Sequence, residues 1–292
     1  RAGNEPIDAP HVPRPFLEAM GCLPVAVFGG GDQTDIIRGD SYFQSYICHI
    51  PRSTLELAFA GKLDVLDGML FPSICDVIRN LGGMWQMLFP ERYSAYVDLP
   101  QDFDETRGGL FYASEIKRIA ADLVRRGARP LTDDGLRAAI AVENRRRTAL
   151  MALDELRRAE PWRVRASEAY VVARAGGVLP TEAHTALVNR FLARAAERIP
   201  RAYDNVRVVV RGSFCEQPPL GLIRTLEASG CDIVDDDLQL GLRFIEGMID
   251  ESAADPLMAL VRAYLFQGVA TASRYIALEV KGASLVKRVN GV

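Results

Sequence analysis

The stretch from Asp67 to Leu88 constrains the fold of this chain most, because a strand, a tight loop and a helix follow one another without interruption. DGMLF is an apolar run with strand character, PSIC forms the loop, and DVIRNLGGMWQML has helical periodicity. Upstream, Cys48 likewise stands just ahead of a run with helical character. A strand followed by a short loop and a helix is the repeating unit of a parallel α/β sheet.

The same alternation of strand and helix patterns extends over the first 131 residues. The predicted strands are Leu23–Phe28, Leu66–Phe71 and Tyr93–Asp98, and the predicted helices are Phe16–Met20, Ser53–Ala60, Val77–Leu88 and Ser114–Arg126. The Pro-rich residues 1–15 are expected to be extended.

A helical insert and a second α/β segment follow. Residues 132–204 show long helical periodicities, and the β-branched run Val206–Val210 then predicts a buried parallel strand, with another strand at Cys231–Val234. We therefore predict an α/β fold with two parallel-sheet domains, flavodoxin-like or Rossmann-like, a helical insert, and a second domain that is cut short. The predicted domain bounds are 1–131, 132–204 and 205–292.

The composition excludes several classes of protein. The net charge of −3 does not indicate a nucleic-acid surface, and no apolar run approaches the roughly 20 residues of a membrane helix. Five cysteines without framework spacing argue against a disulfide scaffold and favour a reducing compartment, so a cytoplasmic location is expected. The absence of G-x-S-x-G, H-E-x-x-H and Walker lysine motifs argues against a self-contained hydrolase or ATPase.

Cys48 and Cys75 are the candidate metal ligands. Each precedes a predicted helix, and the positive end of a helix favours the thiolate that binds metal. Soft thiolates select iron–sulfur clusters or zinc, and the absence of a C-x-x-C pair excludes a zinc ribbon. The alternative for each cysteine is a small buried apolar residue, which is the interpretation we prefer for Cys22 and Cys231.

Polar residues follow three of the predicted strands, where ligands bind in open α/β sheets. They form the loops Pro72–Cys75, Ser213–Pro219 and Asp235–Asp237. The aspartates of the third loop could bind a divalent cation, but hydrogen bonding to the end of the sheet is the preferred interpretation.

Four further residues have candidate roles at these positions. Ser213 and Glu216 are candidate substrate-binding residues. Cys215, which lies between them in the sequence, is a candidate third metal ligand beside Cys48 and Cys75. His49, next to Cys48, is either a hydrogen-bonding group beside the metal or an ordinary surface or core histidine.

Several arginines occupy the predicted helix that begins at Thr132 and the residues just after it. We interpret them as a solvated basic face, with a docking surface for an acidic partner as the alternative. They are Arg145, Arg146, Arg147, Arg157 and Arg158.

Four long segments together resemble the 2-hydroxyacyl-CoA dehydratase/benzoyl-CoA reductase family. They are GGGDQ at 29–33, SYICHIPRSTLE at 45–56, DGMLFPSICDVIRNLGGMWQMLFP at 67–90 and GSFCEQPPLGLIRTLEASGCDIVDDDLQLGLRF at 212–244. The likeness covers nearly the whole chain and is nearest to the smaller non-ATPase subunit of the reductase branch.

That resemblance implies a [4Fe-4S] cluster held by three cysteines, of which Cys48 matches the first and Cys75 the second. The third lies in a later loop that this sequence does not reach, or is replaced by Cys215. It also implies a homologous second subunit, and ATPase subunits that use ATP and ferredoxin to deliver electrons. The substrate would be benzoyl-CoA or a related aromatic acyl-CoA, reduced through a radical anion of the ring.

Two alternatives to an aromatic reductase remain open. A dehydratase subunit would be a lyase that uses the same cluster to expel water from a hydroxyacyl-CoA. A non-catalytic partner subunit would have lost the cluster and would form only half of a heterodimer. Neither a nucleic acid nor a membrane is expected as a partner.

Overall fold

The computed structural model describes residues 5–8, 12–31, 34–73, 75–100, 102–199, 203–210, 219–236 and 247–269. The chain divides into two compact units. The first comprises Arg1–Glu143 and Ile249–Phe266, and the second comprises Asn144–Met248 and Gln267–Val292. The predicted bounds at residues 131 and 204 stay a prediction.

Among the described residues, strands and helices alternate, except for four consecutive helices in the middle of the chain. The strands are β1 (Glu5–Asp8), β2 (Cys22–Val25), β3 (Gly68–Pro72), β4 (Tyr93–Val97), β5 (Val206–Val210) and β6 (Cys231–Asp236). The helices are α1 (Arg14–Ala19), α2 (His49–Phe59), α3 (Asp76–Leu88), α4 (Leu110–Arg125), α5 (Asp133–Ala159), α6 (Ala166–Ala175), α7 (Thr181–Ala196), α8 (Leu220–Ala228) and α9 (Pro256–Val269). A short 3-10 helix spans Gly39–Ser41, and a π-helical turn spans Glu105–Gly109.

The first unit contains a parallel sheet with the strand order β2-β1-β3-β4. This is the order of the first four strands of a flavodoxin-like sheet, so the predicted α/β class with parallel strands is confirmed. The central strand β1 lies in the Pro-rich stretch that was predicted only to be extended. Pro6 does not interrupt the pairing with β3, because that pairing involves only Ile7 and Asp8.

Helices cover both faces of this sheet. Along β3, Met69 and Phe71 pack with residues of α2 and α3, whereas Leu70 between them packs in the other cluster with α1 and α4. This alternation follows from the period of two in a strand. The cluster with α2 and α3 contains Leu55, Ala58, Leu63, Met69, Phe71, Leu81 and Trp85. α2 and α3 share one face of the sheet, and each begins beside its carboxyl edge because it follows one parallel strand and precedes the next.

The second unit contains the parallel pair β5 and β6, with α6, α7 and α8. Ile223 and Ile233 form a small core together with Ala166. β5 is parallel as predicted, but the prediction that it is buried is wrong, since Val206 is 66% exposed and the other three valines of the strand are only partly buried.

The long helix α5 does not present its arginines as the predicted basic face. Arg145 is exposed, but Arg147 is fully buried and donates a hydrogen bond from Nη1 to the carbonyl oxygen of Gly247 at 3.1 Å. Arg157 is 6% exposed and pairs with two buried aspartates. Arg146 is buried as well, at 8% exposed. Both proposed surfaces, solvated and docking, are therefore wrong for these three residues.

Among the helices that the structure describes, none has both the length and the apolarity needed to cross a membrane.

Candidate functional site

The two candidate ligands occupy equivalent positions in consecutive strand–helix units. Cys48 is the N-cap residue of α2 and Cys75 is the N-cap residue of α3, so the prediction that each precedes a helix is confirmed. Because α2 lies in the connection between the parallel strands β2 and β3, and α3 in that between β3 and β4, both cysteines belong to the carboxyl edge of one sheet. In this fold that edge is where ligands bind.

The local electrostatics suit a thiolate at both positions. The carbonyl oxygen of Cys75 accepts a hydrogen bond from the Arg79 amide at 3.2 Å, which starts the hydrogen-bond ladder of α3 at the cysteine itself. The unsatisfied amides of the first helical turn carry partial positive charge that favours an anion. Asp76, at the first helical position, opposes this effect at Cys75. Both cysteines are only partly buried.

Ser73 fixes the loop that carries Cys75. Its amide donates to the carbonyl oxygen of Val97 at 2.9 Å, and its Oγ accepts a hydrogen bond from the Leu99 amide at 2.6 Å. The loop after β3 is therefore joined to the end of β4 by two hydrogen bonds two residues before the cysteine. The sequence placed Ser73 in a polar loop, but it gave no signal for these partners.

The glycine loop after β2 is joined to the first turn of α2. The Gly30 amide donates to Ser53 Oγ at 3.0 Å, and Ser53 Oγ donates to the carbonyl oxygen of His49 at 2.9 Å. Gly29 has a φ of +73°, and a Cβ atom there would lie 2.3 Å from Ser53 Oγ. Glycine is therefore required for this close approach to the helix that Cys48 begins.

Three of the other predicted site residues are not among those that the structure describes. Ser213, Cys215 and Glu216 fall outside the described residues, so their roles stay predictions. His49 is the first residue of α2 and is partly buried. Cys22 is 2% exposed in β2, in agreement with a core role.

The prediction of an acidic loop at Asp235–Asp237 is wrong for its first two residues, because Asp235 and Asp236 end β6 and contact the protein itself. Asp236 pairs with Arg157, and Asp235 Oδ1 accepts a hydrogen bond from the Asp236 amide at 2.8 Å. Asp237 lies outside the described residues. Within the described ranges, no group of three or more His, Cys, Asp or Glu side chains is arranged to hold a metal ion.

The donor set at the carboxyl edge fits an iron–sulfur cluster in its chemistry, although it supplies only two of the ligands. Both donors are thiols, both are N-caps, and neither belongs to a C-x-x-C loop that would favour zinc. A third thiolate would have to come from outside the described part of the chain.

Comparison with known proteins gives three informative relatives. A benzoyl-CoA reductase subunit of Thauera aromatica is 46% identical over 265 residues, which cover 91% of this chain and 68% of that protein. The (R)-phenyllactyl-CoA dehydratase beta subunit of Clostridium sporogenes is 25% identical over 228 residues, covering 78% and 60%. The beta subunit of (R)-2-hydroxyglutaryl-CoA dehydratase from Acidaminococcus fermentans is 25% identical over 228 residues, covering 78% and 59%.

The family described as 2-hydroxyglutaryl-CoA dehydratase, D-component, matches residues 10–289. The match covers both compact units and includes Cys48 and Cys75. The chain spans between 59% and 68% of the length of the three relatives above.

Proposed function

Since this chain belongs to the family described as 2-hydroxyglutaryl-CoA dehydratase, D-component, we propose that it is a catalytic subunit of an ATP-dependent, ferredoxin-linked reductase of benzoyl-CoA or a related aromatic acyl-CoA. The observation that carries the choice of reductase is the 46% identity to a benzoyl-CoA reductase subunit, against 25% for each dehydratase subunit. The proposed partners are a homologous second subunit, ATPase subunits that activate electrons, and ferredoxin, all in the cytoplasm.

The proposed cofactor is a [4Fe-4S] cluster bound by Cys48 and Cys75. Its third thiolate would come from Cys215 or from another part of the full-length subunit. When bound, the cluster would supply low-potential electrons for reduction of the aromatic ring to a radical anion. ATP would act only through the partner subunits.

The residues of this chain would orient the reacting groups and shield them from water. The N-termini of α2 and α3 stabilise the two thiolates, and the hydrogen bonds of Ser53 and Ser73 hold the adjoining backbone in place. Ser213 and Glu216 are proposed to contact the substrate from the loop after β5. Both cysteines are partly buried, which shields them from part of the solvent.

The direct test is anaerobic measurement of iron and acid-labile sulfide, with EPR, on the full-length subunit produced together with its partner. Wild type, Cys48→Ala and Cys75→Ala are compared, with Cys231→Ala in β6 as the matched control. We expect about four irons per cluster in wild type and the control, and loss of this subunit's EPR signal in the other two. Unchanged iron in both variants would show that these cysteines are core residues of a structural subunit.

Dehydration of a 2-hydroxyacyl-CoA is the second candidate function, because the matching family and two of the relatives are dehydratase components. Product analysis of the assembled enzyme separates the two functions. A reductase consumes electrons and yields a dearomatised ring, whereas a dehydratase yields an enoyl-CoA and recycles its electrons.

A further inference from the structure

The segment that leads to Cys48 is attached to the side of the helix that Cys48 begins. We call residues 34–47 the approach segment, since they connect the glycine loop to the N-terminus of α2. Glu56 Oε2, in the middle of α2, accepts hydrogen bonds from the amides of Ile37, Arg38 and Gly39 at 2.9, 2.7 and 2.8 Å. One carboxylate oxygen therefore binds three consecutive backbone amides.

Three consecutive amides that converge on one point form a binding site for an anion, and here the anion is the protein's own glutamate. Hydrogen bonds to an ionised acceptor are stronger than neutral ones. The hydrogen bond from the Gly39 amide, together with those from Ile37 and Arg38, outweighs burial and lowers the pKa of Glu56 below its ordinary value of 4.5. The carboxylate is therefore ionised at neutral pH, which is the state that these amides require.

The chain approaches α2 closely at the same point. A Cβ atom on Gly39 would lie 2.1 Å from the carbonyl oxygen of Arg52, so only glycine allows the approach segment to lie this near to the helix. The Arg52 side chain in turn pairs with Asp40 at 2.8 Å. These contacts fix the path of the segment just after the three amides.

Aromatic contacts extend the attachment toward the C-terminal end of α2. The Arg38 guanidinium lies 4.1 Å from the centre of the Phe59 ring, and the Tyr42 ring lies 5.5 Å from the same ring. The approach segment therefore contacts α2 at Arg52, Glu56 and Phe59 before the chain reaches Cys48.

We infer that Glu56 is a positioning residue for Cys48: by binding the three amides at 37–39, it holds the approach segment in the path that places the Cys48 thiol at the N-terminus of α2. The inference deepens the proposed function and rests on it for the role of Cys48 as a cluster ligand. Cys75 is held by a separate set of contacts around Ser73, so loss of Glu56 should affect one cysteine and leave the other unchanged.

The test uses the full-length subunit produced anaerobically with its partner, in wild type, Glu56→Ala and Glu56→Gln. Glu91→Gln, at an exposed glutamate in the turn between α3 and β4, is the matched control. The first readout is the EPR spectrum of the reduced protein. The second is the rate at which iodoacetamide modifies Cys48 and Cys75 after removal of iron by a chelator, measured by mass spectrometry.

In Glu56→Ala we expect modification of Cys48 to accelerate by about tenfold or more, because one hydrogen bond to a charged group accounts for about that factor in a local opening equilibrium. The rate at Cys75 should stay within about twofold of wild type. Glu56→Gln should be intermediate, since its neutral amide oxygen still accepts hydrogen bonds but more weakly. The EPR spectrum should change in Glu56→Ala and remain that of wild type in Glu91→Gln.

Equal acceleration at both cysteines would mean that Glu56 stabilises the whole unit, and it would overturn the positioning role. No acceleration at Cys48 would overturn it as well. Failure of the proposed function has a different signature: the wild-type protein would carry no iron that depends on Cys48, whatever the outcome at Glu56. Selective exposure of Cys48 in the metal-free variant would then still establish that Glu56 positions this thiol.

Discussion

Replacement of Arg157 by methionine should destabilise the second unit strongly, because Arg157 is the centre of a buried ion cluster. Its guanidinium binds Asp154 Oδ1 at 2.6 Å and also pairs with Asp236, and all three side chains are at most 8% exposed. Burial opposes the charge on Arg157, but the carboxylates of Asp236 and Asp154 outweigh it and raise the pKa of the guanidinium. Methionine has a similar volume and no charge.

The expected loss in the free energy of unfolding follows from the burial of Asp154 and Asp236, the two partners of Arg157. Removing one member of a buried ion pair leaves charge without compensation and costs about 3–5 kcal/mol. In the variant, Asp154 Oδ2 still pairs with Arg158 Nη2 at 2.5 Å. Because this carboxylate keeps one cation, we expect the loss in the free energy of unfolding to stay within this range. For a chain of this size, that loss corresponds to a melting temperature that is lower by roughly 6–20 °C.

The assay is urea unfolding between pH 5 and 8, with Arg194→Met as the control. Arg194 forms an exposed pair with Glu197, so its replacement should cost less than about 1 kcal/mol. Burial raises the pKa of Asp154 in the folded protein, and Arg157 and Arg158 partly offset this. Protonation of Asp154 therefore favours folding at low pH, and this contribution is lost as the pH rises through the folded-state pKa.

Arg157 is one of the groups that lower the pKa of Asp154, so its loss should raise the folded-state pKa of that carboxyl further. The deficit of the variant should therefore be largest at neutral pH and shrink as the pH falls. A loss below about 1 kcal/mol, or a deficit that is the same at every pH, would refute the argument that the cluster is held together by charge.

Two further predictions concern the first unit. Ser73→Ala should cost about 0.5–1.5 kcal/mol and speed hydrogen exchange at the Leu99 amide, which loses its acceptor; unchanged exchange there would contradict this role. Burial raises the pKa of Tyr93 to about 12, so its stabilising contribution is present below pH 10 and lost as the pH rises toward 12. Alkaline unfolding and phenolate absorbance, compared between wild type and Tyr93→Phe, measure the pH at which Tyr93 ionises and the stability lost there. Ionisation of Tyr93 near pH 10 would disprove the raised pKa.

The sequence was sufficient to predict the parallel α/β class and the position of Cys48 and Cys75 before two helices, because these features are local. Apolar periodicity and loop spacing report on the nearest ten residues or so. The strand β1 was not identified because Pro6 and Pro10 obscure its pattern, and its pairing with β2 and β3 arises from residues far along the chain.

The arginines were misinterpreted, and Glu56 was not singled out, for one common physical reason. A charged residue is expected at the surface unless it has a partner, and a single sequence does not reveal partners that are distant along the chain. Arg157 meets Asp236 across 79 positions, and Glu56 meets Gly39 across 17. The protein therefore buries or fixes charges that the local pattern assigns to solvent.

The discontinuity of the first unit determines the order in which its core can be completed during synthesis. Leu260 and Val261 of α9 are fully buried in the same cluster as residues of α1 and α4, yet they are made after all of Asn144–Met248. A nascent chain that ends before α9 therefore leaves an apolar surface of the first unit uncovered while the second unit is being translated. Completion of the core that α1 and α4 share with α9 thus waits for the rest of the first unit to be synthesised, and exposure to chaperones or to aggregation is greatest during that interval.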